Sequence, residues 1–313
     1  MSAIQTILGP IRPEELGVVD YHEHVYVVPP AWLHRMDPDF ALNSVERSAE
    51  EVGTWVAAGG RTLLDLTAVD FGRDIRKIRE VAERVSELHG PVHIVATAGY
   101  NRPWYMGRWL HAVAEDDMVR DTVRDLTQGI DGTSMKAGII KAGSEYNAFN
   151  DAARKLFRVA ARAFGETGVP IVTHTTGGTM GMEQTEFLVS NGVPAHRIAL
   201  SHMDRNVDAG EHARIAETGA YLGYDCFGKA KYGPDEALIH LIRTMIDRGH
   251  GQRLLIGNDL GRPSYWRAYG GGPGLDYVLT TFVPRLLRSG FQQSELDMLL
   301  IDNPRRFLAG EVK

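Results

Sequence analysis

Eight short apolar runs, each followed by a longer amphipathic or charged stretch, leave this chain few ways to fold. The runs are LGVVDYHEH (16–24), RTLLDLTA (61–68), VHIVATA (92–98), AGIIKAG (137–143), PIVTHT (170–175), RIALSHM (197–203), AYLGYDC (220–226) and RLLIGND (253–259). Most are rich in Val, Ile and Leu, the composition of strands buried on both faces of a parallel sheet. The stretches between them, such as SVERSAEEVGTWVAAGG (44–60), DIRKIREVAERVSELHG (74–90) and DAARKLFRVAARAFGETG (151–168), read as helices that close on glycine. Gly59-Gly60, Gly90-Pro91 and Gly168-Val169-Pro170 repeat one junction from helix through glycine into strand. Eight strands alternating with helices predict an α/β chain folded as a (β/α)8 TIM barrel. An open doubly wound sheet would more often place a glycine-rich phosphate turn after its first strand, where this chain has HEHVYVVPP. Residues 273–310 carry no clear strand and are expected to be C-terminal covering helices. No linker or low-complexity segment interrupts the pattern, so residues 1–313 are expected to form a single domain.

Composition then excludes several classes of function. The 313 residues are 43% hydrophobic and 24% charged, ordinary for a soluble enzyme-sized domain. A net charge of −6 with scattered basic residues marks neither a nucleic-acid groove nor a membrane surface. No apolar run approaches the ~20 residues that span a bilayer. The start, MSAIQTILGPIRPEELG, lacks the apolar core of a secretory signal. Cys226 is the only cysteine, which rules out an intramolecular disulfide and favours a reducing compartment. The expectation is a cytoplasmic protein acting on a small molecule. No interface stripe fixes the number of subunits, and a homodimer stays open.

The chemistry gathers at one end of the strands. His22 and His24 occupy alternate positions of the first run, hence one face, at the carboxyl end where barrel enzymes keep their active sites. Alone, such a pair fits either metal ligands or satisfied core histidines. Other runs then carry His174 in VTHT, His202 in LSHMD and Asp259 in IGND at the same level, with Lys141 inside GIIKAG. So many ionisable groups at one end are hard to explain as core packing. Lys141 is either ion-paired or carboxylated by CO₂, and a carbamate supplies two oxygens able to bridge cations ~3.5–4 Å apart.

Taken together, HEH near the start, the lysine of the fourth run, HT in the fifth, SHMDRNVD in the sixth and the late ND resemble the phosphotriesterase-like branch of the amidohydrolase superfamily. The likeness runs from TILGPIRPEELG to NPRRFLAG. It implies that His22 and His24 hold one divalent metal with Asp259, and that His174 and His202 hold the other. Zinc is the expected metal. N6-carboxylated Lys141 and a hydroxide would bridge the pair, and Asp259 would pass the hydroxide's proton to the leaving alkoxide.

The loops after the seventh and eighth runs address the substrate. CFGKAKYGPDE provides Lys229 and Lys231, and GRPSYWRAYGGGPG provides Arg262, Tyr265 and Arg267, where barrel phosphate sites often form. Loop cations are commonly just solvated. KAGSEYN after the fourth run and the set Lys231, Arg262 and Tyr265 are most similar to the family's phosphorylated-sugar (phospho-furanose) lactonases. That similarity implies hydrolysis of a sugar lactone, a 5-phosphorylated pentono-1,4-lactone, with Lys231, Arg262 and Tyr265 gripping the phosphate. Tyr100 in TAGYN would face the lactone. The competing readings are a lactonase for unphosphorylated or acyl-homoserine lactones, a phosphotriesterase, and a non-catalytic metal-binding protein. His93 is expected at the opposite, stability end. His89, His111, His196, His212, His240 and His250 are expected to be solvated, and His34 in the first loop is left open. Cys226 reads as a small buried residue, since no base partner accompanies it.

Overall fold

The computed structural model describes residues 3–311, and its eight parallel strands are the eight apolar runs. An antiparallel hairpin, β1 (Ile4–Thr6) and β2 (Gly9–Ile11), precedes them. The sequence pattern did not predict this hairpin, because strands of three residues are too short for an alternation to register. The barrel strands are β3 (Val19–Glu23), β4 (Thr62–Asp65), β5 (His93–Val95) with β6 (Thr97–Gly99), β7 (Ile139–Gly143), β8 (Ile171–His174), β9 (Ile198–Ser201), β10 (Tyr221–Tyr224) and β11 (Leu254–Ile256). The third run is thus divided at Ala96 into β5 and β6.

Neighbouring strands pair in parallel from β3 to β5 and from β6 to β11. At the seam between β11 and β3, the Asn258 N–H donates to Asp20 Oδ1 at 3.1 Å and the Asp259 N–H donates to the His22 carbonyl at 2.8 Å. The fold is therefore the expected (β/α)8 barrel.

Seven outer helices follow the strands: α1 (Val45–Ala57), α2 (Ile75–His89), α3 (Glu115–Thr127), α4 (Asp151–Thr167), α5 (Gly181–Ser190), α6 (Ala209–Glu217) and α7 (Asp235–Asp247). Their starts are capped where the sequence allows it. Ser44, Asp74, Asn150 and Asp208 each accept a backbone N–H from the first turn of α1, α2, α4 and α6. The end of the chain is helical as expected, in α8 (Val283–Arg288), α9 (Gln293–Asp297) and α10 (Asn303–Ala309).

The barrel interior has an apolar lower half and a polar upper half. Val19, Tyr21, Leu64, Val95, Ile139, Val172, Ala199, Tyr221 and Leu255 pack together, closed by Ile4 and Leu16 from one terminus and Phe307 and Leu308 from the other. Burying side chains of this size contributes roughly 1.5–3 kcal/mol each. Strand alternation then carries the column upward: Lys141 stands two residues beyond Ile139, and His174 two beyond Val172. Asp225 and Asp259 each lie four residues beyond their own apolar member, Tyr221 and Leu255.

Candidate metal centre

β3 does not end as a regular strand; its pairing with β4 shifts register between Asp20 and Glu23. Two buried carboxylates fasten the irregular segment. Asp20 Oδ1 accepts the His22 N–H at 3.0 Å, and Glu23 Oε2 accepts the His24 N–H at 3.0 Å. The two rings thereby converge on Asp259 Oδ1, with His22 Nε2 at 3.6 Å and His24 Nε2 at 3.5 Å. These separations are too long for good hydrogen bonds, and the three donor atoms face a common point. Across the site His202 Nε2 lies 3.1 Å from His174 Nδ1. Lys141 Nζ is buried and has no hydrogen-bond partner. All six candidates border one cavity of about 200 Å³.

Three of the four rings are oriented from behind. Asp225 Oδ2 meets His22 Nδ1 at 3.0 Å, Asp225 Oδ1 meets His202 Nδ1 at 2.7 Å, and Thr67 Oγ1 meets His24 Nδ1 at 2.9 Å. Asp259 is held through its other oxygen, which accepts from Arg205 Nη2 at 3.0 Å and Lys229 Nζ at 3.2 Å. Two of these residues adopt backbone conformations that L-residues avoid. His202 has φ 65° and Asp259 φ 50°. Such strain costs on the order of 1–3 kcal/mol per residue and concentrates at functional sites.

Burial favours the neutral form of His22, His174 and His202, and the site as a whole favours an anionic Asp259. Burial, with Lys141 nearby, pushes the His22 imidazole down to about 3. Burial likewise takes His202 to about 4 and His174 well below the ordinary histidine value. Burial works against ionising Asp259, but Lys229, His202 and His22 outweigh it and hold the carboxyl well below its usual range. Burial also lowers the Lys141 amine to about 8.

These features fit a pair of divalent cations. Neutral imidazoles offer lone pairs, and nitrogen with carboxylate oxygen suits a borderline ion such as zinc. His22, His24 and Asp259 form one group compact enough to hold an ion. Asp225 lies within the same range of His22 and His202. Its oxygens already face both Nδ1 atoms at 3.0 and 2.7 Å, the placement of a support for the candidate ligands. The unpartnered Lys141 amine is the last sign of fit: a buried donor with nothing to bind is costly.

The rim is less uniform than the sequence suggests. Lys231 and Tyr265 both border the cavity, with Lys231 Nζ 5.2 Å from the Tyr265 ring centre. Among the described residues no carboxylate pairs with Lys231. Arg262 borders the cavity too, its Nη1 donating to Asp37 Oδ2 at 2.7 Å while its guanidinium lies 4.0 Å over Phe40. Its Nε and Nη2 make no hydrogen bond within the described chain.

Four expectations need correction. Tyr100 does not face this cavity; it lines a separate one of about 290 Å³ with Trp32, Met106 and Trp109. Gly99, at φ +83°, turns the chain before it, and Asp70 then captures the Asn101 N–H at 2.8 Å, so Asn101, Arg102 and Tyr105 reach the cavity instead. Lys229 borders the cavity but is buried and committed to Asp259 and to the Asn258 carbonyl at 2.8 Å, which removes it as a free anion donor. Arg267 pairs with Asp276 at 2.7 Å and is not part of the cavity lining. His212 is fully buried rather than solvated, its Nδ1 2.7 Å from the Tyr224 hydroxyl, because it occupies the inner face of α6. The other histidines assigned to helices are exposed or half-buried, as expected.

Asp225, Thr67 and Arg205 were missed. Asp225 had a legible signal, a carboxylate closing an apolar run, whereas Thr67 and Arg205 had none beyond position near a strand end.

A family model described as the phosphotriesterase family matches residues 2–308. A phospho-furanose lactonase from Mycoplasmopsis agalactiae is 33% identical, covering 98% of this chain and 91% of its own. Among solved structures, a lactonase from Listeria monocytogenes superposes with a TM-score of 0.93 at 34% identity, over 99% of this chain and 100% of that one. The Escherichia coli phosphotriesterase homology protein, solved with phosphate in its active site, gives a TM-score of 0.88 at 31% identity over 94% of this chain and 99% of that one.

Proposed function

The chain belongs to the phosphotriesterase family and is a hydrolase, and from that premise we propose that it opens a sugar lactone, most simply a 5-phosphorylated pentono-1,4-lactone. One observation carries the reading: a single cavity joins the six candidate ligands on its floor to Lys231, Arg262 and Tyr265 on its rim. The phospho-furanose lactonase relative and the relative with phosphate in its active site support the same substrate class. The reading takes residues 1–313 as one domain that acts on a small molecule in the cytoplasm, with a homodimer as the assembly to test.

His22, His24 and Asp259 would hold one cation, His174 and His202 a second, and Lys141, carboxylated by CO₂ with loss of a proton, would join them. When bound, two divalent ions such as zinc would supply Lewis acidity and make water easier to deprotonate near neutral pH. The chain's own residues do the rest. Lys231 and the free Nε and Nη2 of Arg262 grip the phosphate, a fork that guanidinium matches well. That remote contact anchors the substrate above the floor through binding that is equal before and during ring opening. Asp259 takes the proton from the attacking oxygen and hands it to the ring oxygen as the acyl C–O bond breaks. Its pairing with Arg205 and Lys229 makes it a weak base, so it relays the proton rather than keeping it.

The test is a panel of aldonolactones with and without a 5-phosphate. The reading expects kcat/KM at least ~10²-fold higher for a phosphorylated member, as expected if two cationic contacts of ~1.5–3 kcal/mol each engage it. Equal rates across the panel would end it. A second reading, an apolar lactone or an aryl triester as substrate, is favoured by the aromatic cavity of Trp32, Tyr100 and Trp109, which shares Tyr105 with the main one.

A further inference from the structure

We propose that Asp225 couples the two candidate metal positions, acting as a positioning residue for one histidine of each. This rests on the two-metal reading above and adds to it. His22 faces Asp259, and His202 faces His174, so the two rings belong to different positions. Both are oriented by the same carboxylate, Oδ2 meeting His22 Nδ1 at 3.0 Å and Oδ1 meeting His202 Nδ1 at 2.7 Å. A carboxylate that accepts from both Nδ1 atoms leaves each Nε2 lone pair turned to the cavity.

Asp225 has no freedom to serve one ring at the other's expense. It is fully buried. Oδ2 also accepts from the Tyr21 hydroxyl and from the His202 N–H, the latter at 3.2 Å. Its own N–H is fixed by Asp204 Oδ2 at 2.8 Å. Any shift of the carboxylate toward His22 therefore pulls on His202, and the reverse. Filling one position sets the ring of the other. His24 offers the internal contrast, because its Nδ1 is held by Thr67 alone.

The experiment is calorimetric titration of metal-free, full-length protein with Zn²⁺ under chelator competition. Wild type should take two ions. Asp225→Asn keeps the volume but replaces a charged double acceptor by one neutral oxygen and one donor. Both binding steps should weaken, by ~10–100-fold, the usual cost of removing a ligand's supporting group. Thr67→Val should weaken one step only. Weakening of a single step in Asp225→Asn would overturn the coupling while leaving the two-metal reading intact; uptake of only one ion by wild type would sink that reading, and the coupling with it. A second measurement needs no variant. In ¹⁵N spectra of metal-free wild type, both His22 and His202 should carry their proton on Nδ1, and finding it on Nε2 of either ring would overturn the proposal.

Discussion

Floor and rim of the same cavity are held by different kinds of contact. On the floor, His22, His24 and His202 each spend one ring nitrogen on an internal partner, and Asp259 spends one oxygen on Arg205 and Lys229. What remains points inward. On the rim, Lys231 is exposed with no carboxylate partner among the described residues, and Arg262 commits a single terminal nitrogen, Nη1, to Asp37 and Asp39. The difference teaches how one scaffold serves many substrates: a floor without spare freedom fixes the reaction, and a rim with spare donors on long stems fixes what is admitted. Changes to the floor should then strike every substrate through kcat and metal content. Rim changes should strike one substrate class through KM.

The largest effect should come from Lys141→Met. With the candidate bridging side chain gone, metal content should fall from about two ions per chain to one or none, and every lactone should be hydrolysed at least ~10³-fold more slowly. Lys141→Glu, which restores an anionic oxygen, should recover part of both. A Met variant that keeps two ions would break the distinction at its strongest point. Asp259→Asn should come next. Its amide oxygen can still face His22 and His24, but it cannot accept a proton, so kcat should drop ~10²–10⁴-fold. The drop should be the same for phosphorylated and unphosphorylated lactones; a drop confined to one of them would put Asp259 on the substrate's side of the comparison.

A third change probes how rigid the floor's support is. A Cβ added at Gly223 would lie 2.0 Å from the Tyr21 hydroxyl oxygen. Either the ring or β10 must move, and the Tyr21 bond to Asp225 goes with it. Overpacking of this kind should cost ~1–3 kcal/mol, read as a lower Tm in thermal unfolding. An unchanged Tm would mean that the upper barrel yields more easily than its contacts imply.

The same contrast explains what the sequence could disclose. The barrel strands were legible because parallel strands must be apolar on both faces, and the floor residues because period-two alternation lifts Lys141 and His174 directly off Ile139 and Val172. Asp225 obeys that rule too, four residues beyond Tyr221, and could have been read from it. The pairing of Arg205 and Lys229 with Asp259 could not, since it joins three loops whose approach no local pattern encodes. Tyr100 and Tyr105 exchange roles for a backbone reason, the turn at Gly99 and the capture of Asn101 by Asp70. His212 was misassigned because a polar residue on a helix reads as solvated unless its hydroxyl partner, here Tyr224 on a neighbouring strand, is known.

The smallest expected effect is also the sharpest test of the rim. Lys231 is the cleaner probe, because Arg262→Ala would also release Asp37 and Asp39 and remove the cover over Phe40. Lys231 has no carboxylate partner among the described residues and only ring contacts with Tyr232 and Tyr265, so Lys231→Ala removes one cation and little else. If that cation binds a phosphate, the loss is one hydrogen bond to a charged group, ~1.5 kcal/mol or somewhat more, hence about a tenfold fall in kcat/KM for a 5-phosphorylated lactone. The fall should lie in KM, because the contact is equally present before and during ring opening and the floor is untouched. The unphosphorylated lactone should be hydrolysed at the wild-type rate. Raised ionic strength should shrink the difference between the two enzymes, since an exposed charge is screened within a Debye length of ~8–10 Å. No loss on either substrate would show that Lys231 is merely solvated, and equal losses on both would show that its role is independent of the phosphate. The cavity would then pass to the apolar lactone or triester reading, with the aromatic recess beside Tyr105 as the next place to look for the substrate's remaining contacts.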